Sequence, residues 1–163
     1  MLRRLTIADL DAFQAYRQDP RVGLYQGWEP QSDAEALRFI SDMHDVALFP
    51  PGQWVQLGIA DRRTDALLGD VGICVAATNE TAEVGFTLSV AAQGVGYGTE
   101  AVKEAIDLIF DYAPVVQVLA VTDSRNTPSV RLLERVGMQR LDTVASMFRG
   151  NACTEHIYGI TRS

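Results

Sequence analysis

Cysteine and histidine are scarce in this chain of 163 residues, which contains two of each. Cys74 and Cys153 lie far apart and form no Cys-x-x-Cys motif, so neither a disulfide framework nor a zinc motif is predicted. His44 and His156 are also widely separated and lack the spacing of paired metal ligands. The sequence therefore predicts a protein that binds no metal.

Long apolar runs are absent as well. No segment approaches the roughly 20 apolar residues that are needed to span a bilayer. Asp9 comes too early for the apolar core of a signal peptide to precede it. We therefore expect no membrane partner and a cytoplasmic location. The length predicts one domain, residues 1–163, that is large enough to bury a substantial core.

Basic side chains are in the minority, and Lys103 is the single lysine. The chain has 14 Lys and Arg against 21 Asp and Glu, which gives a formal net charge of −7 at pH 7. Such a chain repels a phosphate backbone, so no nucleic-acid partner is predicted. A cationic partner, such as an amine, is favoured instead.

Glycine is concentrated at residues 93–98, which read Gln-Gly-Val-Gly-Tyr-Gly. An apolar run precedes this loop and an amphipathic pattern from Thr99 to about Tyr112 follows it, so the loop is predicted to join a strand to a helix. Glycines let the main chain approach a ligand, and a helix start offers free N–H groups, which together suit a pyrophosphate. The loop lacks the lysine of a Walker A motif, and Thr99 replaces the third glycine of a dinucleotide fingerprint. A loop that only connects the two elements is the alternative.

A second motif follows at residues 126–138, which read Asn-Thr-Pro-Ser-Val-Arg-Leu-Leu-Glu-Arg-Val-Gly-Met. Thr127 is the predicted N-cap, and Pro128 suits the first helical position because its missing N–H costs nothing there. Gly137 suits the left-handed residue just after a helix. The motif therefore predicts a short helix with an apolar stripe.

Together the two motifs resemble the acyl-CoA motifs of the GNAT superfamily of N-acetyltransferases. The first has the spacing Gln-x-x-Gly-x-Gly, met by Gln93, Gly96 and Gly98, and the second has Asn-x-x-Ser-x-x-Leu-Leu-Glu-Arg-x-Gly from Asn126. The second motif and the aromatic segment at residues 25–30 are most similar to the RimJ/RimL type, the ribosomal-protein N-terminal acetyltransferases. The resemblance implies direct transfer of acetyl from acetyl-CoA to a primary amine in a ternary complex. The amine would belong to a protein N-terminus or a small molecule, and a homodimer is compatible with this family.

Hydrophobic periodicity predicts the element order β-α-α-β-β-β-α-β-α-β-β. This order predicts an α/β (α+β) fold with a mixed sheet and helices on its faces. It also matches the GNAT fold, which implies a mostly antiparallel seven-stranded sheet that is splayed between strands 4 and 5. The predicted strands are residues 2–5, 53–61, 66–76, 82–90, 115–122, 138–148 and 153–161, and the first helix is predicted to end before Pro20.

The resemblance also implies where acetyl-CoA binds. Residues 94–99 would hold the pyrophosphate, residues 88–90 would pair with the pantetheine amides, and N–H groups near Thr87 and Leu88 would meet the oxyanion. Many relatives have Lys or Arg where this chain has Val95, so a weaker hold on phosphate is expected. The implied contacts are Leu88, Ser89, Val90, Gln93, Gly94, Val95, Gly96, Tyr97, Gly98, Thr99, Asn126 and Ser129.

Acetyl transfer to an amine requires a base, since a primary alkyl amine has a pKa of about 10.4. Glu83 occupies a strand position where the resembling enzymes often have a catalytic glutamate, and it is also a candidate acceptor contact. Tyr25 and Trp28 are the candidate wall of the acceptor pocket, and Glu29 is a further candidate acceptor contact. Glu29 and Glu155 are lesser candidate bases. The alternatives are ordinary packing for the aromatic residues and a polar strand face for Glu83.

The tyrosine that protonates the leaving thiolate in many relatives has no counterpart, because the matching stretch is Leu132-Leu133. The RimJ/RimL type implies a serine in this role, matched by Ser129, whose simpler role is a hydrogen bond to the cofactor. The missing tyrosine leaves a non-catalytic acyl-CoA sensor as an alternative function. Transfer of another acyl group, such as succinyl, is a further alternative.

Overall fold

A seven-stranded sheet lies at the centre of the computed structural model, which describes residues 1–163. The strand order is β1-β2-β3-β4-β5-β7-β6, and every neighbouring pair is antiparallel except β4 and β5. The predicted fold class and sheet are therefore confirmed. The strands are β1 Leu2–Arg3, β2 Trp54–Ala60, β3 Leu67–Val75, β4 Thr81–Leu88, β5 Gln117–Asp123, β6 Gln139–Phe148 and β7 Asn151–Thr161.

Five α-helices connect the strands, and none is both long and apolar enough to cross a membrane. Two short 3-10 turns, Ile7–Asp9 and Val90–Ala92, precede α1 and α4. The helices are α1 Leu10–Arg17, α2 Pro20–Gly23, α3 Asp33–Asp45, α4 Tyr97–Tyr112 and α5 Thr127–Arg135.

The first helix ends before Pro20, as predicted, but other helix boundaries differ from the prediction. The helix α4 begins at Tyr97, two residues before the predicted Thr99. Pro20 begins α2 as well as following α1, because proline fits a first helical position and the Asp19 carboxylate accepts the Arg21 N–H at 2.9 Å. The N-cap of α5 is Asn126 rather than Thr127, since the Asn126 side chain accepts the Ser129 N–H at 3.4 Å. Asparagine and threonine both cap helices, so the residue type alone could not separate them.

Helices cover both faces of the sheet. On one face, α4 and α5 pack against the apolar side chains of β2 to β5, and this layer forms the larger core. On the other face, α1 and α3 pack over β3 around a smaller core that contains Phe13 and Ile40.

The parallel pairing of β4 with β5 is short. It joins Thr81, Ala82 and Glu83 to residues 117–119, and beyond these pairs the two strands separate. The Ser89 N–H donates to Leu68 O on the β3 side. Along an antiparallel strand, the N–H and C=O groups of successive residues point to opposite sides, so those of the odd-numbered residues of β4 face β3. The main-chain groups of Phe86 and Leu88 therefore face the gap.

Candidate active site

A cavity of about 620 Å³ occupies the gap between β4 and β5. The gap lies between the carboxyl-terminal halves of two parallel strands, and ligands commonly bind at this edge of α/β sheets. The glycine loop, the start of α5 and part of the aromatic segment converge on it. Among the predicted site residues, those that line it are Tyr25, Leu88, Gln93, Gly94, Gly96, Gly98, Thr99, Asn126 and Ser129.

The glycine loop presents its main chain to this cavity. Gly94 and Gly96 have φ angles of +76° and +96°, which side chains other than glycine rarely adopt. A Cβ atom at either position would meet no other atom within 4 Å, so the loop surface is open. None of the N–H groups from Gly94 to Thr99 donates to a protein acceptor, and no side chain caps α4. This arrangement of free donors at a helix start suits an anion.

Other loop residues have structural roles. A Cβ atom on Gly98 would lie 2.7 Å from Leu132 Cδ1 and 2.8 Å from Leu88 Cδ1, so a larger residue there would force both leucine side chains to move. The Tyr97 hydroxyl donates to Asp61 at 2.8 Å, and this bond together with turn amides lowers the pKa of Asp61 to about 2. The Val95 side chain is exposed. Neither Tyr97 nor Val95 lines the cavity.

Residues 88–90 were predicted to pair with the pantetheine amides, but only Leu88 among them is in β4 and lines the cavity. The Ser89 N–H donates to Leu68 at 2.8 Å and its carbonyl accepts from Ala92 at 3.0 Å, so its main-chain groups are occupied. Val90 belongs to a 3-10 turn, and neither residue lines the cavity. The prediction of strand-like pairing at Ser89 is therefore wrong. The residues of β4 whose main-chain groups face the gap are Phe86 and Leu88.

Two glutamine side chains satisfy the carbonyls of β4 that face the gap. Gln26 Nε2 donates to Phe86 O and Gln93 Nε2 donates to Leu88 O, each at 3.1 Å. The N–H groups of Phe86 and Leu88 point the same way, whereas the Thr87 N–H faces β3. Of the two predicted oxyanion donors, only Leu88 therefore faces the gap. The role of Gln26 could not be predicted from the sequence, because its partner Phe86 is 60 residues away.

The start of α5 forms the wall opposite β4. Ser129 is buried, lines the cavity and makes no protein hydrogen bond through its hydroxyl group. Arg131 and Arg135 also line the cavity, and Arg135 Nη1 lies 3.4 Å from Thr99 Oγ1 at the start of α4. These guanidinium groups bring to the glycine loop the positive charge that Val95 does not supply. Arg135 is the arginine of the second motif, and Arg131 lies one helical turn before it on the same helix face.

Glu83 sits where β4 and β5 part, opposite Leu119 in the last parallel pair. Its side chain is half-buried and lies on the same strand face as Gly85 and Thr87, as predicted. Burial raises its pKa, and the nearby negative charge of Glu155 raises it further. Glu155 itself lines the cavity, whereas Glu83 lies beside it. The two carboxylates make this end of the site acidic.

The aromatic segment contributes one cavity residue of the three that were predicted. The Tyr25 ring lines the cavity and lies 5.6 Å below the guanidinium of Arg125. The Trp28 ring instead packs 4.5 Å from the Arg17 guanidinium, which is buried in an ion pair with Asp70. Glu29 is exposed and does not line the cavity. The structure therefore favours ordinary packing for Trp28, because its ring stacks on the buried guanidinium of Arg17.

Comparison with known proteins identifies the family. A family model described as acetyltransferase (GNAT) domain matches residues 1–139. The uncharacterized N-acetyltransferase p20 of Bacillus licheniformis is 30% identical over 141 residues, which cover 85% of this chain and 78% of that protein.

Solved structures share the fold. A GNAT-family acetyltransferase from Bacillus anthracis superposes with a TM-score of 0.86 at 19% identity, covering 98% of this chain and 93% of that chain. RimL, a ribosomal L7/L12 alpha-N-protein acetyltransferase in complex with coenzyme A, superposes with a TM-score of 0.81 at 14% identity over 98% and 92%. The resemblance inferred from the two motifs is confirmed at the level of the family. The chain belongs to the GNAT acetyltransferase family.

Proposed function

We propose that this chain, acting as one domain, transfers acetyl from acetyl-CoA to a primary amine in a ternary complex. The observation that carries the proposal is the row of free N–H groups from Gly94 to Thr99 at a cavity that enters the sheet. Membership of the GNAT family supports the same chemistry. The acidic end of the cavity favours a cationic amine as the acceptor.

The residues present fit acetyl-CoA along its length. The loop amides would hold the diphosphate, and Arg131 and Arg135 would add charge-assisted bonds. The N–H groups of Phe86 and Leu88 would pair with the pantetheine arm as a strand would, since β4 has no neighbour there. Ser129, whose hydroxyl has no protein partner, would donate to the arm or to its sulfur.

The acceptor enters as an ammonium ion, so the reaction removes two protons from its nitrogen and exchanges one bond. The first proton goes to Glu83 before the attack, and the second passes from the nitrogen of the tetrahedral intermediate to the departing thiolate. The amine nitrogen forms a bond to the thioester carbonyl carbon, and the carbon–sulfur bond breaks with its electron pair on sulfur. Glu83 takes the first proton, a role that its raised pKa favours because a stronger base accepts a proton more readily. Glu155 attracts the cation before deprotonation. A thiol has a pKa of about 8.5, so the thiolate leaves without a strong acid and a hydrogen bond from Ser129 suffices.

Thiol release from acetyl-CoA tests this function. The amine panel contains tripeptides with free N-terminal Ser, Ala or Met, together with spermidine and butylamine. Glu83→Gln is expected to lower kcat about 100-fold or more, because general-base catalysis contributes at least this factor, and to leave CoA affinity unchanged. Glu80→Gln, at an exposed turn on the same hairpin, is the matched control. Full turnover by Glu83→Gln across the neutral pH range would exclude Glu83 as the base.

The same assay separates an enzyme from a sensor. Tight binding of CoA by calorimetry with no thiol release on any amine would favour the non-catalytic function. Thiol release with an amine, without measurable binding of CoA, would contradict the assignment of the cavity as the CoA site.

A further inference from the structure

Arg149 occupies a backbone position that suits it poorly. It is the first of two central residues in the β6–β7 turn, with φ +49°, and Gly150 follows with φ +77°. Turns with two positive φ angles favour Asn-Gly, and a long side chain is uncommon at the first position. The other non-glycine residues with positive φ in this chain are Asp65 and Asn79, which belong to the types that tolerate it. The arginine side chain is therefore the feature to explain.

That side chain reaches a segment far away in the sequence. Arg149 Nη2 donates to Gly23 O at 3.1 Å and to Gln26 O at 3.2 Å, and Gly23 is 126 residues earlier in the chain. Its Nε lies 3.8 Å from the Glu29 carboxylate, and its guanidinium lies 4.9 Å from the Phe148 ring. One side chain thus contacts the start, middle and end of residues 23–29, which we call the acceptor loop.

The acceptor loop is also fastened to the other half of the splayed sheet. Gln26 donates to Phe86 O at 3.1 Å, and Trp28 Nε1 donates to Thr87 Oγ1 at 3.3 Å. The loop therefore spans the gap from β4 to the tip of the β6–β7 hairpin. Tyr25 from the loop and Phe148 from the hairpin both line the cavity beneath this span.

We propose that Arg149 is a positioning residue for the acceptor amine. Its side chain holds the acceptor loop against the tip of the β6–β7 hairpin, and we call its contacts with Gly23, Gln26 and Glu29 the clasp. The clasp holds the acceptor loop over the end of the gap where Tyr25, Phe148 and Glu155 all line the cavity. The glycine loop lies elsewhere on the cavity wall, so acetyl-CoA binding does not depend on the clasp. The role in acetyl transfer rests on the proposed function, but the clasp itself does not.

Arg149→Asn tests the proposal, because asparagine suits this turn and removes only the long side chain. Hydrogen–deuterium exchange of the variant alone should be about fivefold faster or more in residues 23–29 and unchanged in β4, since local opening sets exchange. The melting temperature should be equal or higher. With the best amine of the panel, KM for the amine should rise about fivefold or more while KM for acetyl-CoA stays within about twofold.

Two further variants make the result specific. Arg149→Lys keeps one donor group and should restore part of the protection from exchange and part of the amine KM. Asn79→Gly changes a residue of similar φ (+58°) in the β3–β4 turn, away from the cavity, and should alter neither KM. Unchanged exchange in residues 23–29 of Arg149→Asn, or an equal rise of both KM values, would overturn the proposal. If no amine is acetylated, the proposed function fails, and the exchange experiment still decides whether the clasp exists.

Discussion

The glycine loop can be tested by a pair of substitutions that differ only in location. Gly94 and Gly52 both have φ +76°, and a Cβ atom on either would meet no other atom within 4 Å. Gly94 lines the cavity, whereas Gly52 lies in the turn before β2, at the opposite end of the sheet from the glycine loop. Gly94→Ala and Gly52→Ala therefore add the same methyl group under the same backbone strain.

The expected changes in stability are equal. Placing alanine in the left-handed region costs about 1–2 kcal/mol. For a chain of this size, each kcal/mol lowers the melting temperature by about 2–4 °C. Both variants should therefore melt a few degrees below the wild type, and by similar amounts.

The expected changes in CoA affinity are different. The methyl group on residue 94 would stand in the space in front of the loop amides and push the diphosphate away from at least one donor. Loss of a hydrogen bond to a charged group costs about 1.5–3 kcal/mol, and each 1.4 kcal/mol is a tenfold change in Kd. Gly94→Ala should thus raise the Kd for CoA about 10-fold to 100-fold, whereas Gly52→Ala should leave it unchanged.

Isothermal titration with CoA measures the difference directly. Pantetheine, which lacks the diphosphate, should inhibit acetyl transfer by both variants equally, because the methyl group does not reach its site. Equal CoA affinities for Gly94→Ala and Gly52→Ala would refute the assignment of the loop. A loss of pantetheine inhibition in Gly94→Ala alone would show that the substitution disturbs the whole cavity.

Two more predictions concern charged side chains. The raised pKa of Glu83 means that the folded state holds this proton more tightly than the unfolded state, so the stability it contributes is present at low pH and is lost as the pH rises through the raised pKa. Glu83→Gln should therefore resist urea better than the wild type at about pH 7 and equally at about pH 4, and an equal advantage at both pH values would contradict the raised pKa. Arg135→Ala should raise the Kd for CoA about fivefold at low salt and less at high salt, because a surface charge is screened. Arg38→Ala on α3 is its control, and equal effects of the two variants in the titration would remove Arg135 from the phosphate site.

Local patterns were sufficient for most of the fold. The glycine loop followed by α4, and the Asn-Thr-Pro start of α5, could be read from short segments because caps and positive φ angles constrain residue type locally. The strands were placed within a few residues because alternation of apolar residues has a fixed period. The four-residue helix at Pro20 was missed because proline both ends and begins helices.

Pairs that are distant in the sequence could not be predicted in the same way. Trp28 and Tyr25 are aromatic residues in one loop, yet only Tyr25 reaches the cavity, because Trp28 packs on a buried ion pair of α1 and β3. Likewise, the main-chain groups of Leu88 face the gap, whereas the N–H of the next residue, Ser89, bonds to β3. Which side these groups face is set by the register with β3, a property of two strands rather than of one.

The sequence by itself therefore determined the glycine loop, the two helices that begin at the gap and the family, because each depends on the order of neighbouring residues. The tertiary structure decided which groups face the gap, how Glu83 comes near Glu155, and that Arg149 meets Gly23. These depend on strand register and on the separation of β4 from β5, which bring together residues that have no relation along the chain.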